Sequence, residues 1–313
     1  MTGRRNNQTI RVAYIMGSGR SGSTILDCIL GNHEQIESVG ELCNLPQHGW
    51  LNGEYCGCGQ PGNICPFWQA VRYEWVRRTG VDDVEGYIAL QRKFGHFRRG
   101  PQLLRERIRP SGEFQAYAEQ TYQLLAAIRT VSGKPIIVDS SKGPARAFAL
   151  SLIKGIDLKL IHLVRDARAV AYSFKKAFEK NLKKGVQHDL RSRPVWQTAL
   201  FWMQYNLESE IVRSSTPKVA SIRLRYEDLT ADPENTLSRI GDFLDIGLKE
   251  LAQKVASGKY LKVEHTIAGN RLRMAGKIRL LIDMEWRNKL TSPEKRTCRL
   301  VAGVLMSRYR YEL

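Results

Sequence analysis

No stretch of this chain approaches the ~18 predominantly apolar residues that a membrane-spanning helix needs. The longest candidate, Val195 to Leu207, carries Gln197, Gln204 and Asn206. Cysteine is also scarce: six in 313 residues cannot form a disulfide scaffold. Internal repeats and low-complexity linkers are absent, and 42% hydrophobic with 26% charged residues is a globular composition that excludes a disordered chain. No zinc-finger, RRM or KH signature occurs, and the basic segments lack interleaved aromatics, so no nucleic acid partner is expected. A secretory leader is not expected either: Arg4 and Arg5 look like its charged start, but the following apolar run is broken by Arg11 and ends at Gly17. Residues 1–9 therefore read as a flexible tail, and the expected location is the cytoplasm, free or at a membrane surface.

Acidic residues are outnumbered, 31 against 49 Lys+Arg, giving a formal net charge of +18. Such an excess points to an anionic partner. It is concentrated: residues 91–109, 175–193 and 271–299 carry net charges of +6, +5 and +6. Either these are three solvated faces, or they converge on one anionic site.

Three cysteines cluster as Cys56-Gly57-Cys58 and Cys65. A structural zinc site takes four ligands, and His48 would have to be the fourth. A local disulfide or reduced thiols stabilising a small insertion fit this spacing better, so no metal is expected. Cys28, Cys43 and Cys298 read as small apolar residues.

Along the chain, Ile10 to Met16 is a short apolar strand, followed by Gly17-Ser18-Gly19-Arg20-Ser21-Gly22-Ser23-Thr24 and the helix-forming run from Ile25. Residues 44–66 read as irregular, and 67–131 as mostly helical. Further strands are expected at Pro135 to Asp139, Leu158 to Val164 and Lys218 to Tyr226. Helices are expected at Ala145 to Lys154, from about Ala167, at Pro194 to Arg213, and at about 233–244 and 293–306. Strands alternating with helices give an α/β fold: one domain over 10–313 with a central parallel sheet flanked by helices and an irregular and helical insertion over 44–131.

The glycine-rich loop lies where phosphate loops lie. Its backbone amides can approach an anion, the helix N-terminus adds donors and partial positive charge, and Ser21, Ser23 and Thr24 add hydroxyls. It nearly matches Gly-x4-Gly-Lys-Ser/Thr, but Ser23 stands where the lysine of a nucleotide triphosphatase belongs, and the cation is Arg20. Three more segments end at strand termini, where α/β sheets bind ligands: Val138-Asp139-Ser140-Ser141-Lys142, Leu163 to Ser173, and Leu224 to Leu229. A fourth, His265 to Arg273, is followed by Gly276, Asp283 and Trp286.

In the glycine loop, Leu163 to Ser173, Leu224 to Leu229 and His265 to Arg273, four motifs in this order, the chain resembles the sulfotransferases that use 3′-phosphoadenosine 5′-phosphosulfate (PAPS), over about residues 10 to 290. The resemblance implies a P-loop-like 5′-phosphosulfate loop with cofactor contacts from Gly19, Arg20, Ser21, Gly22, Ser23 and Thr24. It implies a 3′-phosphate site at Arg165 and Ser173, a place near the adenine for Tyr226, and a C-terminal loop folding over the cofactor with a phosphate contact from Arg273. That loop is similar to those of bacterial, carbohydrate-type and tyrosylprotein-type members. Gly40-Glu41 resembles the tyrosylprotein-type pair whose glutamate is the general base. Lys142 resembles the family's leaving-group lysine. Small-molecule members use a histidine instead, which leaves His33 and His162 as alternatives.

The implied reaction moves a sulfuryl group from PAPS to a hydroxyl (or amine) by in-line displacement, releasing 3′-phosphoadenosine 5′-phosphate (PAP). Preorganised cations such as Arg20 and Lys142 would face the developing charge, and Glu41 would take the acceptor's proton. No metal is required. Two rival readings compete: a P-loop kinase or NTPase, in which Asp139 holds Mg²⁺, and a non-enzymatic basic nucleotide or nucleic-acid binder. The leftover positive charge suggests an acidic saccharide, a glycolipid or an acidic peptide as acceptor. Trp50, Trp68 and Trp75 either stack on a sugar or pack a core.

Overall fold

A computed structural model describes residues 9–95, 100–177, 179–181 and 189–313. The expected tail (apart from Thr9) and parts of two basic segments (96–99, 178 and 182–188) lie outside the described residues.

Strand β1 (Ile10–Met16) alternates its side chains between two buried faces, which is why it reads as one continuous apolar run. Ile10, Val12, Tyr14 and Met16 enter one core; Ala13 and Ile15 enter the other. Around it assemble β2 (Ile36–Gly40), β3 (Ile136–Lys142), β4 (Ile156–Val164) and β5 (Ser221–Arg225) in the order β2-β3-β1-β4-β5, all parallel. The strand order reverses at β1, so the loop after β1 opens at the sheet's switch point, where ligands bind in such folds. Helix α1 (Ser23–Leu30) starts directly from that loop.

The insertion folds as a π-helical turn (Leu45–Leu51) and four helices, α2 (Pro66–Thr79), α3 (Val84–Phe94), α4 (Gly100–Ile108) and α5 (Gly112–Ser132). Its apolar residues join the core of β1. Trp50, Trp68 and Trp75 all lie inside that core, with Trp50 and Trp75 centroids 5.4 Å apart, so sugar stacking by these tryptophans is overturned. Next come α6 (Pro144–Ser151), α7 (Ala167–Lys175), α8 (Val195–Ser215), α9 (Tyr226–Ala231), α10 (Pro233–Leu244) and α11 (Lys249–Ala256). A two-stranded ribbon, β6 (Leu261–Lys262) with β7 (Lys277–Ile278), brackets the C-terminal loop before α12 (Trp286–Lys289) and α13 (Ser292–Arg308).

Two expectations shift. Strand β2 was not foreseen because Glu37 and Ser38 interrupt its apolar pattern. Both are buried and answered from afar, Glu37 by Lys134 Nζ at 3.0 Å and Ser38 by Asp27 Oδ2 at 2.8 Å. The fourth expected strand stops at Arg225, because Tyr226 opens α9. Among the described residues no helix is long and apolar enough to cross a membrane.

Candidate active site

The glycine loop leaves β1 through Gly17 and enters α1 at Gly22, whose φ of 95° is open to glycine at little cost. A Cβ there would overlap the Tyr226 ring, so Tyr226 packs directly under the loop. No side chain caps α1, and its first turn holds no acid. The first amides of α1 are thus left for an anion. Ser21 Oγ is buried with no partner among the described residues.

Arg20 sits inside the loop in the left-handed region, at φ 67°. For a non-glycine residue this conformation costs on the order of 1–3 kcal/mol and marks functional sites. Its guanidinium lies 5.5 Å from the Phe174 ring centroid. Burial pushes its pKa down; the Glu41 carboxylate opposes this, while nearby Arg271 and Arg193 reinforce it. Two of the three basic segments therefore meet at the loop. In the third, the described Arg92, Lys93 and Arg107 are engaged with Gln47, Glu113 and the Ser215 carbonyl.

Lys142, at the end of β3, is also left-handed, with φ 68°. Its ammonium pairs with Glu41 Oε1, and Glu41 Oε2 accepts a hydrogen bond from Asn44 Nδ2 at 2.9 Å. Glu41 follows β2 directly, so two neighbouring parallel strands deliver the pair. The C-terminal loop closes over it. Glu41 N–H donates to the Ile267 carbonyl at 2.9 Å, Asn270 N–H donates to Thr24 Oγ1 at 3.2 Å, and a Cβ on Gly269 would lie 3.1 Å from both Glu41 Oε1 and Thr24 Oγ1.

Arg165, at the end of β4, is buried, with its guanidinium 4.5 Å from the Tyr226 ring centroid. It donates to the Arg20 carbonyl at 3.1 Å and to Asp283 Oδ2 at 2.9 Å, while its Nε has no partner among the described residues. Trp202 Nε1 holds the Arg165 carbonyl at 2.8 Å. Ser173 lies on α7, half-buried. Tyr226 donates its hydroxyl to the Leu281 carbonyl at 3.1 Å. Arg273 is buried, with one N–H on the Tyr55 carbonyl at 3.1 Å and Nε unpartnered among the described residues. Burial pushes its pKa down, against Glu54 and Glu41.

Both alternative histidines are held in structural contacts. His33 Nε2 bonds the Gly247 carbonyl at 3.0 Å. His162 is buried in β4, with Nε2 on Asn206 Oδ1 at 2.9 Å and Nδ1 3.3 Å from Glu210. Asp139 is fully buried against Arg146 at 3.1 Å and the Ser141 amide at 2.9 Å, so its carboxylate is already committed and poorly placed to hold Mg²⁺.

Some residues of the site carried no signal in the sequence reading. Phe174, Phe201 and Tyr205 form a wall beside Gly19, with centroids 5.8 Å and 4.4 Å apart in turn. The Arg193 guanidinium lies over Phe174 at 4.9 Å and Phe201 at 5.8 Å. The spacing of Phe201 and Tyr205, four apart on α8, is the one sequence cue that put them on a single face. The cysteine cluster is corrected as well: His48 pairs with Glu54, and the histidine beside the thiols is His265.

A parallel α/β sheet with an uncapped, lysine-free glycine loop at its switch point defines a P-loop-like α/β fold with a candidate anion site. The sulfotransferase family profile matches residues 70–250, more than half of the chain, and the chain belongs to that family. It is accordingly a PAPS-dependent sulfotransferase, with PAPS as sulfuryl donor. Among solved structures, the sulfotransferase domain from the curacin biosynthetic pathway is similar at 18% identity, covering 98% of this chain and 99% of that chain, with a TM-score of 0.53. The sulfotransferase domain from the Synechococcus PCC 7002 olefin synthase is similar at 19% identity, covering 98% and 96%, with a TM-score of 0.50. At such identity these two speak for the fold alone. No curated protein sequence matches the chain.

Proposed function

We propose that the chain sulfurylates a hydroxyl of an anionic acceptor, an acidic saccharide or glycolipid, with Glu41 as general base. The observation that carries this reading is the Glu41–Lys142 pair, held between the glycine loop and the C-terminal loop beside Arg20. A base and a cation delivered by adjacent strands can serve the two ends of one displacement.

The donor-side residues fit an anionic nucleotide: an uncapped helix start, an unpartnered buried hydroxyl on Ser21, and unpartnered buried guanidinium nitrogens on Arg165 and Arg273. Gly19, Ser21, Gly22, Ser23 and Thr24 would hold the 5′ side. Arg165 and Ser173 would hold the 3′-phosphate, Tyr226 the region near the base, and Arg273 a phosphate. When bound, PAPS supplies a sulfuryl group on a stable phosphate leaving group. Glu41 takes the acceptor's hydroxyl proton as the new oxygen–sulfur bond forms, a contribution of roughly 10²–10⁴-fold. Lys142 and Arg20 face the charge that builds on the departing oxygen and the equatorial oxygens, a role for which preorganised cations are suited.

On the acceptor side, Phe174, Phe201 and Tyr205 offer a cluster of aromatic rings, edge-on and tilted to one another, and Arg193 a cation over it. A sugar ring bearing a carboxylate or sulfate matches both. Thermal unfolding separates this reading from a kinase reading. A ligand at ~100 times its dissociation constant stabilises the native state by about 2.7 kcal/mol, worth several degrees at this size. PAP should raise Tm with no Mg²⁺ present, and ATP with Mg²⁺ should leave it nearly unchanged; the reverse pattern would sink the sulfuryl-transfer assignment of these residues. Acceptor affinity should fall as salt rises, and an affinity indifferent to salt would remove the anionic class.

A further inference from the structure

The insertion and the C-terminal loop meet at a second cluster, about which sulfuryl transfer says nothing. Cys56, Cys58, Cys65 and His265 bring three sulfurs and one ring nitrogen within 4.8 Å of one another. Cys58 Sγ lies 3.6 Å from Cys65 Sγ, and His265 Nδ1 lies 3.4 Å from Cys65 Sγ and 3.9 Å from Cys56 Sγ. A tetrahedral zinc with Zn–S of about 2.3 Å and Zn–N of about 2.0 Å requires edges of ~3.8 Å for S···S and ~3.5 Å for S···N. A disulfide, by contrast, requires sulfurs at about 2.05 Å, and all these cysteines are free thiols.

The backbone around the cluster is shaped to hold it. The Cys56 amide donates to the Gln60 carbonyl at 2.8 Å and the Gly59 amide to the Cys56 carbonyl at 2.9 Å, turning two thiols to one side. Gly57 lies flat on residues 264–266, its amide on the Thr266 carbonyl at 2.9 Å. A Cβ at Gly57 would come within 2.5 Å of the Glu264 carbonyl, so glycine is what allows this approach. Cys65 stands immediately before α2, with Pro66 in the first turn. The His265 ring stacks on Phe67, centroids 4.8 Å apart and planes 10° apart, which fixes where Nδ1 points. Three of the four side chains are at least partly shielded, and Cys58 is exposed and offers a way in.

We infer that Cys56, Cys58, Cys65 and His265 form a structural zinc site that clips the insertion to the C-terminal loop. The donor set, three thiolates and one imidazole, selects a borderline-soft tetrahedral ion, and with all four positions filled by protein the site is structural and leaves no open position for chemistry. His265 lies four residues before Gly269, whose backbone packs on Glu41 and Thr24. The metal therefore sets the position of the loop that closes over the base. This last step rests on the proposed function; the metal site does not.

Metal content is the test, because it is read without turnover. The full chain, purified without an affinity tag and dialysed against zinc chloride and then metal-free buffer, should hold one zinc per chain by mass spectrometry. Replacement by Co²⁺ should give the d–d and thiolate charge-transfer absorption of a tetrahedral site. Both His265→Ala and Cys58→Ser should lose most of the metal, whereas His265→Cys should retain it, which separates lost ligation from a failed fold. A strong zinc chelator should lower Tm by about 5 °C or more and lower kcat more than it raises KM for PAPS. Wild-type protein that holds no zinc, or a Cys58–Cys65 disulfide in the native protein, would overturn the site. Zinc that stays in His265→Ala would overturn the clip. If zinc is present and removable while kcat is unmoved, its hold on the loop over Glu41 is overturned, and whether PAP shifts Tm is decided separately.

Discussion

The two sides of the site are built by opposite means. The 5′ side of the nucleotide site is one continuous run: β1, the glycine loop and α1 place Gly19 to Thr24 within 30 residues of the start of the chain. Its anion site is made of backbone amides and a helix end, groups that any sequence with glycines at these points would present. The base side is assembled from pieces far apart: Glu41 after β2, Lys142 after β3, and Ile267 to Asn270 in the C-terminal loop. It is held by a few specific links, namely one ion pair, a parallel bridge from Gly40 to Ile267, and the cysteine–histidine cluster. A locally built site fails only if its own loop is damaged, whereas a site built from distant segments can fail through any link.

The sharpest way to break this comparison is at the base. Glu41→Gln keeps the shape and the Asn44 contact but removes the negative charge and the proton acceptor. Sulfuryl transfer should fall roughly 10²–10⁴-fold, with the PAP-induced rise in Tm intact, because no atom of the glycine loop is changed. Equal loss of transfer and PAP binding would mean that the two sides are one unit. Unchanged transfer would remove Glu41 from the base role.

The next effect tests a link instead of a reacting group. Gly40 has φ 70°, and a Cβ there would overlap the Ile267 carbonyl. Gly40→Ala should push the C-terminal loop off Glu41. A displacement near 1 Å can cost about 10²-fold in rate, and the strain should cost on the order of 1–3 kcal/mol of stability. The matched control is Gly80→Ala, also at positive φ (75°) but with nothing near its Cβ. Gly80→Ala should lose some stability and no activity. Equal activity loss in both would refute the link.

The same contrast explains what could be read from residues alone. The strand, glycine loop and helix were legible, because they are adjacent and their pattern is local. So were β3, β4 and the ends of α10, where apolar period and caps agree. The pairing of Glu41 with Lys142 was not legible from physics: nothing in Gly40-Glu41 announces a partner 101 residues away at Lys142. Strand β2 was missed for the same reason, since its polar residues are answered by Lys134 and Asp27. The cysteine cluster was assigned its fourth member by nearness in sequence, at His48, whereas the fold supplies His265, 200 residues from Cys65.

The smallest expected effect sharpens the comparison from beneath the loop. Asp27, on α1, is fully buried, its Oδ2 accepting the Ser38 hydroxyl at 2.8 Å and its Oδ1 without a hydrogen-bond partner among the described residues. Burial raises its pKa well above the usual carboxylate range, with the Ser38 hydrogen bond only partly opposing this. A carboxyl whose folded pKa is raised binds its proton more tightly in the native state. Its share of stability is therefore complete below the unfolded pKa of about 3.9 and is lost as pH rises from there to the raised native value. Asp27→Asn keeps the shape and the Ser38 contact without titrating. It should match the wild type near pH 4 and unfold a few degrees higher at pH 8, by thermal melts across that range, with PAP affinity unchanged. A variant less stable than the wild type at pH 8 would show that the charged form is the one this helix was built to hold, and that the nucleotide side, like the base side, depends on a specific ionic link.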